Sequence, residues 1–146
     1  MQNMQQHHSG KLEIAIRSLE DALKYARSGE FQELGIEFKS VLVSAVIQNF
    51  KLTLDVCRRL ITHLLRDDFG DNAVEGKSFE EILRMAEKEG IVSSLDRWLG
   101  YAENDAEPSS NISGHVFDTA TAFMADVALL FQMSERRSAT TRQKAA

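Results

Sequence analysis

Apolar residues recur at three- and four-residue steps through most of the chain, with no strand-like alternation between them. That spacing predicts amphipathic helices throughout. The first helix runs from about Leu12 to Ala26, with Leu12, Ala15, Ile16, Leu19, Ala22, Leu23 and Ala26 on one stripe and Gly29 as its stop. The second, from about Phe38 to Leu65, is the longest and most apolar. One stripe carries Val43, Val46, Ile47, Phe50, Leu54, Cys57, Ile61 and Leu64. Leu42, Ala45, Leu52, Val56 and Leu60 widen it beyond a single face. A helix apolar on most of its circumference is buried on more than one side. In a chain this small the second side predicts a homodimer, with Leu42, Val46, Leu52 and Val56 supplying the extra surface.

DDFGDNAVEGK then reads as a loop, rich in Asp, Asn and Gly. Ser78-Phe79-Glu80-Glu81 forms a capping box that opens a short third helix, stopped by Gly90. Ser93 or Ser94 starts a fourth, carrying Leu95, Trp98, Leu99 and Ala102. Glu103 to Gly114 is a loop holding the only proline, and the last helix starts at about His115. If the two short helices together form one side, the fold is all-α: an antiparallel up-and-down four-helix bundle, five helices counting the broken third. The bundle domain spans 12–134. Residues 1–11 and the basic 135–146, with Arg136, Arg137, Arg142 and Lys144, are expected to be flexible tails.

Composition narrows the class. The only cysteine, Cys57, has no intramolecular disulfide partner and sits on an apolar stripe, which predicts a buried structural thiol in a reducing, cytoplasmic setting. The polar first eleven residues lack the apolar core of a secretory signal. The longest apolar run, Val41 to Ile47, is broken by Ser44 and too short to span a membrane. A net charge of −5 argues against a dedicated nucleic-acid binder.

Catalytic constellations are missing. The sequence has no Gly-rich phosphate loop, no paired cysteines, no H-E-x-x-H and no Glu three residues before a histidine. No catalytic residue, metal site or cofactor is expected. His63, near the end of the second helix, suits a macrodipole-capping role. His115 follows a Gly-containing loop and opens a helix, beside free N–H donors. It either helps cap that helix or stands as a neutral base next to an anion site.

Three stretches carry a family likeness: AVIQNFKLTLDVCRRLITHLL (45–65), SFEEILRMAEKEGIVSSLDRWL (78–99) and NISGHVFD (111–118). In order and spacing the sequence resembles the nucleotidyltransferase substrate-binding proteins, within the wider HEPN group of helical bundles. The resemblance implies a homodimer encoded beside a minimal nucleotidyltransferase that supplies the metal and nucleotide chemistry. In related pairs the HEPN member is a toxin that cuts RNA with an Arg and a His, silenced by adenylylation of a nearby Tyr. Asn111, His115 and Asp118 match that signature. Ser110 stands at the Arg position, or Asp105 in an alternative alignment that allows for a longer loop, and Phe117 stands at the Tyr position; neither alignment restores the Arg.

The scaffold is therefore present without the toxin chemistry. A phosphodiester-cleaving site loses on the order of 10²–10³ in rate when such a charge-stabilising donor is removed. The expected role is a non-catalytic accessory subunit of a minimal nucleotidyltransferase, binding a nucleotide or other phosphorylated ligand; the alternative is a ribonuclease toxin with a degenerate site. Candidate ligand-binding residues are Asn111, Ser113, His115 and Asp118. Since no Lys or Arg occurs between Trp98 and Phe131, charge has to arrive from Arg58, Arg59 or Arg97. Gln48 matches the polar residue that interrupts the family's apolar helix. It is expected to be buried, with its partner either in the core or across the dimer.

Overall fold

Ser78 starts a helix in the way its sequence predicts. Its backbone N–H donates to Glu81 Oε2 at 2.9 Å, and its hydroxyl accepts from the Glu81 N–H at 3.2 Å. That helix ends at a left-handed Gly90 (φ 73°). Gly90 N–H reaches the Glu87 carbonyl and Ile91 N–H the Ala86 carbonyl, a Schellman closure that tucks Ile91 into the core.

The computed structural model describes the backbone of residues 2–106 and 113–145 and the side chains of 7–103 and 116–140. The described residues form seven helices: α1 (Gln2–Ala26), α2 (Gly29–Glu33), α3 (Ile36–Phe69), α4 (Asp71–Val74), α5 (Phe79–Lys88), α6 (Leu95–Ala106) and α7 (Ser113–Ala145). The chain is an all-α helical bundle, as its periodicity predicts. α1 runs antiparallel to α3, with Ser18 donating to Asn49 Oδ1 at 3.0 Å and the His8 and His63 rings 5.5 Å apart. α7 runs parallel to α3: Phe123 meets Phe50, and Arg137 pairs with Asp68 at 2.6 Å. α6 closes the remaining side, placing Trp98 and Tyr101 on Phe123 at 5.9 and 5.0 Å. Trp98, Phe123, Leu60, Ile61 and Leu65 are almost fully buried at the centre.

Both ends are longer than the apolar stripe suggests. α1 begins at Gln2, and α7 continues to Ala145. Buried Ser9 and Ser134 hydrogen-bond at 3.2 Å, so residues read as a polar tail pack on the last helix. At the other end Ser138 is buried and Arg137 is paired with Asp68. Small and polar side chains carry those contacts, and a hydrophobic stripe does not register them. The two short helices α2 and α4 fall inside segments that read as turns or loop; each buries one anchor, Phe31 and Val74.

α3 and residues 116–140 are each long and apolar enough to cross a membrane by length and composition alone. Scattered Ser, Gln, Asn and Thr conceal this from a search for unbroken runs. The same helices carry the core stripe, including Val46, Phe50 and Cys57 on one and Ala120, Phe123 and Val127 on the other.

Candidate functional site

The signature segment lies where the last helix begins. Asn111 is outside the described residues. Ser113 and His115 belong to the first turn of α7, which starts two residues ahead of the expected point; their side chains are outside the described residues. Asp118 is exposed, one turn on. Phe117 is partly buried and packs edge-on against Phe31, centroids 5.7 Å apart. Its ring, in place of the signature's Tyr, is a packing element. Beside it Thr121 donates to the Phe117 carbonyl at 2.7 Å and accepts from Arg27.

Arg97 does not join that segment. Its Nε and a terminal nitrogen grip Asp126 Oδ2 and Oδ1, each at 2.9 Å, and the Tyr101 hydroxyl donates to Oδ2 at 2.5 Å. Burial opposes ionisation of Asp126, but the hydrogen bonds from Arg97 and Tyr101 outweigh it and hold the carboxyl below its usual range. Burial, with the Asp126 charge, pushes Tyr101 up. The trio joins α6 to α7, and Arg97 is a structural cation.

Arg58 and Arg59 lie elsewhere again. Residues of α3 (Arg58, Arg59, Thr62, His63, Arg66), His8 of α1, Val74, Lys77, and Phe79 and Ile82 of α5 enclose a cavity of about 440 Å³. His115 precedes Phe123 by about two turns, whereas Arg58 follows Phe50 by about two turns. With α7 parallel to α3, the two places are roughly 25 Å apart along the bundle at 1.5 Å per residue. Arg58 and Arg59 thus stand apart from the backbone of Ser113 and His115, and Arg97 is taken up by Asp126, while Asn111 lies outside the described residues.

Within the cavity His63 is only 5% exposed, and its Nε2 has no hydrogen-bond partner among the described residues. Asp67 Oδ2 lies 3.4 Å away, inside ion-pair reach but without hydrogen-bond alignment. His8 Nδ1 is likewise buried and unsatisfied. Burial, and then the neighbouring His63, lower the pKa of His8 below the ordinary histidine value. Among the described residues no group of three His, Cys, Asp or Glu is placed to hold a metal ion. Cys57 is fully buried, which pushes its thiol pKa far up and leaves it inert at neutral pH.

Gln48 is exposed in the single chain, so its partner is not in the core. It lies on an outer stripe of α3 with Phe38, Val41, Ala45 and Leu52, at alternating steps of three and four. Phe38, Val41 and Leu52 are 66%, 68% and 55% exposed. The face differs from the one read off the sequence. Val46 is fully buried in the core and Val56 packs against it; of the four residues named for the extra surface, Leu52 is well exposed.

The fold is thus that of a helical bundle whose cavity is basic and whose described residues hold no metal-binding cluster. Residues 8–138 match the family described as nucleotidyltransferase substrate binding protein like, and the chain belongs to it. Among solved structures it is similar to HI0074 from Haemophilus influenzae, described as revealing the fold of a substrate binding domain of a nucleotidyltransferase. The TM-score is 0.80 at 17% identity, covering 87% of this chain and 98% of that one. No curated protein matches the sequence.

Sequence reading missed most of the cavity. Arg58 and Arg59 were legible as cations, but His8 lay in a presumed tail and Lys77 in a presumed loop. The available signal was the stripe Arg59, Thr62, His63 and Arg66, polar residues at helical spacing on an otherwise apolar helix.

Proposed function

We propose that this chain is a non-catalytic, substrate-binding companion of a minimal nucleotidyltransferase, acting as a homodimer in the cytoplasm. The family match across almost the whole bundle carries this reading. The substrate-binding description of HI0074, whose fold this chain shares, agrees with it. The outer stripe of α3 supports self-association. Gln48 at its centre then finds its partner across a two-fold axis, in the manner of a polar residue that fixes register. The start of α7 lies at the same end of the bundle as Phe38 and Val41, so a second copy on that stripe brings the two signature segments near one another. In this reading Asn111, Ser113, His115 and Asp118 contribute to a nucleotide or phosphate site beside the interface.

A ribonuclease role is disfavoured by Ser110 and by Phe117, which is engaged with Phe31. The purified protein is expected to leave single-stranded and structured RNA intact. Cleavage that disappears in His115→Ala would show that another cation replaces the missing Arg, and the toxin reading would take over.

A further inference from the structure

The cavity beside α3 has no role in the signature carried by the family. Three features set it apart from an ordinary solvated face. It is concave, at about 440 Å³ within the usual range for small-ligand pockets. Arg58, Arg59, Arg66 and Lys77 line it, while no Asp or Glu does. Two imidazoles line it, each with a buried nitrogen that no described residue satisfies. A buried unsatisfied polar atom is costly, and its persistence calls for a ligand or water to complete it.

Carboxylates surround the rim. Asp55 is shared by Arg58 at 2.7 Å and Arg59 at 3.2 Å, Asp71 meets Arg66 at 3.0 Å, and Asp67 lies near His63. These are surface pairs of the weak kind. Each guanidinium has five N–H donors, so one carboxylate leaves most of them for an anion. Lys77 has no ion-pair partner among the described residues. Arg59, Thr62, His63 and Arg66 recur at helical spacing on one face, presenting two guanidiniums, a hydroxyl and an imidazole to the same space. Phosphate suits this set better than carboxylate, because it offers oxygens in several directions to donors arriving from α3, α1 and the segment before α5. Val74, Phe79 and Ile82 form an apolar wall for whatever carries the phosphate.

We infer that this cavity is a second ligand site, which binds a phosphate group of a small molecule between Arg59, Arg66, Lys77 and His63. It stands on its own geometry and does not require the signature segment. The test is calorimetry on the full-length chain with inorganic phosphate, pyrophosphate and ATP, alongside nitrogen NMR of the histidines. Binding is expected for at least one probe, to weaken at high salt, and to move the His63 Nε2 resonance. Arg59→Gln with Arg66→Gln, both exposed and fold-neutral, should weaken it at least tenfold, while Arg136→Gln, a cation removed elsewhere, should not. Binding to ATP but not to pyrophosphate or phosphate identifies a nucleotide as the source; binding to all three identifies the bare anion. No binding by any probe overturns the site. So does binding that survives the double substitution but fails in His115→Ala, a result that leaves the substrate-binding reading of the signature segment standing.

Discussion

Val41→Glu combined with Leu52→Glu is expected to dissociate the proposed homodimer, weakening association by at least about a hundredfold, which is roughly 3 kcal/mol. Both side chains are more than half exposed in the single chain, on the stripe that also carries Phe38 and Gln48. A contiguous apolar face of this kind marks an interaction surface. An interface built on it should bury more than about 1,000 Å². At a two-fold contact each substitution appears twice, so four carboxylates are forced together in a desolvated strip. Neither residue contributes to the core, and stability of the monomer should change by no more than about 0.5 kcal/mol. Light scattering on wild type and variant, with circular dichroism to confirm retained helix, checks both halves. A wild-type monomer at micromolar concentration contradicts the dimer outright.

Asp126→Asn should destabilise the fold by about 1–3 kcal/mol, because it strips the acceptor charge from a buried carboxylate that receives three hydrogen bonds. Arg97 is half exposed and can turn to water, which limits the loss. Tyr101 is buried and cannot. The pH dependence has a definite sign. The Asp126 carboxyl is held below its usual value, so its contribution is fully present above the unfolded aspartate pKa of about 3.9 and fades as pH falls through the folded one. The difference between wild type and Asp126→Asn in urea should therefore be largest near neutral pH and shrink below about pH 4. An unchanged midpoint at neutral pH would show that the trio holds α6 to α7 no better than water does.

The helices were legible because the core is made by apolar side chains at helical spacing. Leu12 to Ala26, Phe50 to Leu64 and Phe123 to Leu130 declare their faces, and the Ser78 box and Gly90 stop declare their ends. Contacts made by small or polar groups were not legible. Ser9 on Ser134 and Arg137 on Asp68 extend the bundle by several turns without a hydrophobic signal. The exposed apolar stripe lies on the helix that the sequence marks as most apolar, but apart from Leu52 it is made of other residues than those named for the extra surface. α3 is apolar on most of its circumference, and periodicity alone cannot say which side meets α1 and α7, as the burial of Val46 shows. The candidate site was legible as residue types and not as geometry. Arg97 read as a free cation until Asp126, distant in sequence, came beside it. Arg58 and Arg59 read as partners of His115 until the parallel course of α3 and α7 set them apart. Their true neighbours, His8 and Lys77, come from segments that carry no pattern.

Co-expression with a minimal nucleotidyltransferase, the partner proposed for this chain, is the most direct test of the companion role. The two chains are expected to elute as one stable complex at micromolar concentration, with nucleotidyl transfer by the partner markedly faster in the complex than alone. Separate elution of two folded proteins, with the partner's turnover unaffected by this chain, would contradict the account.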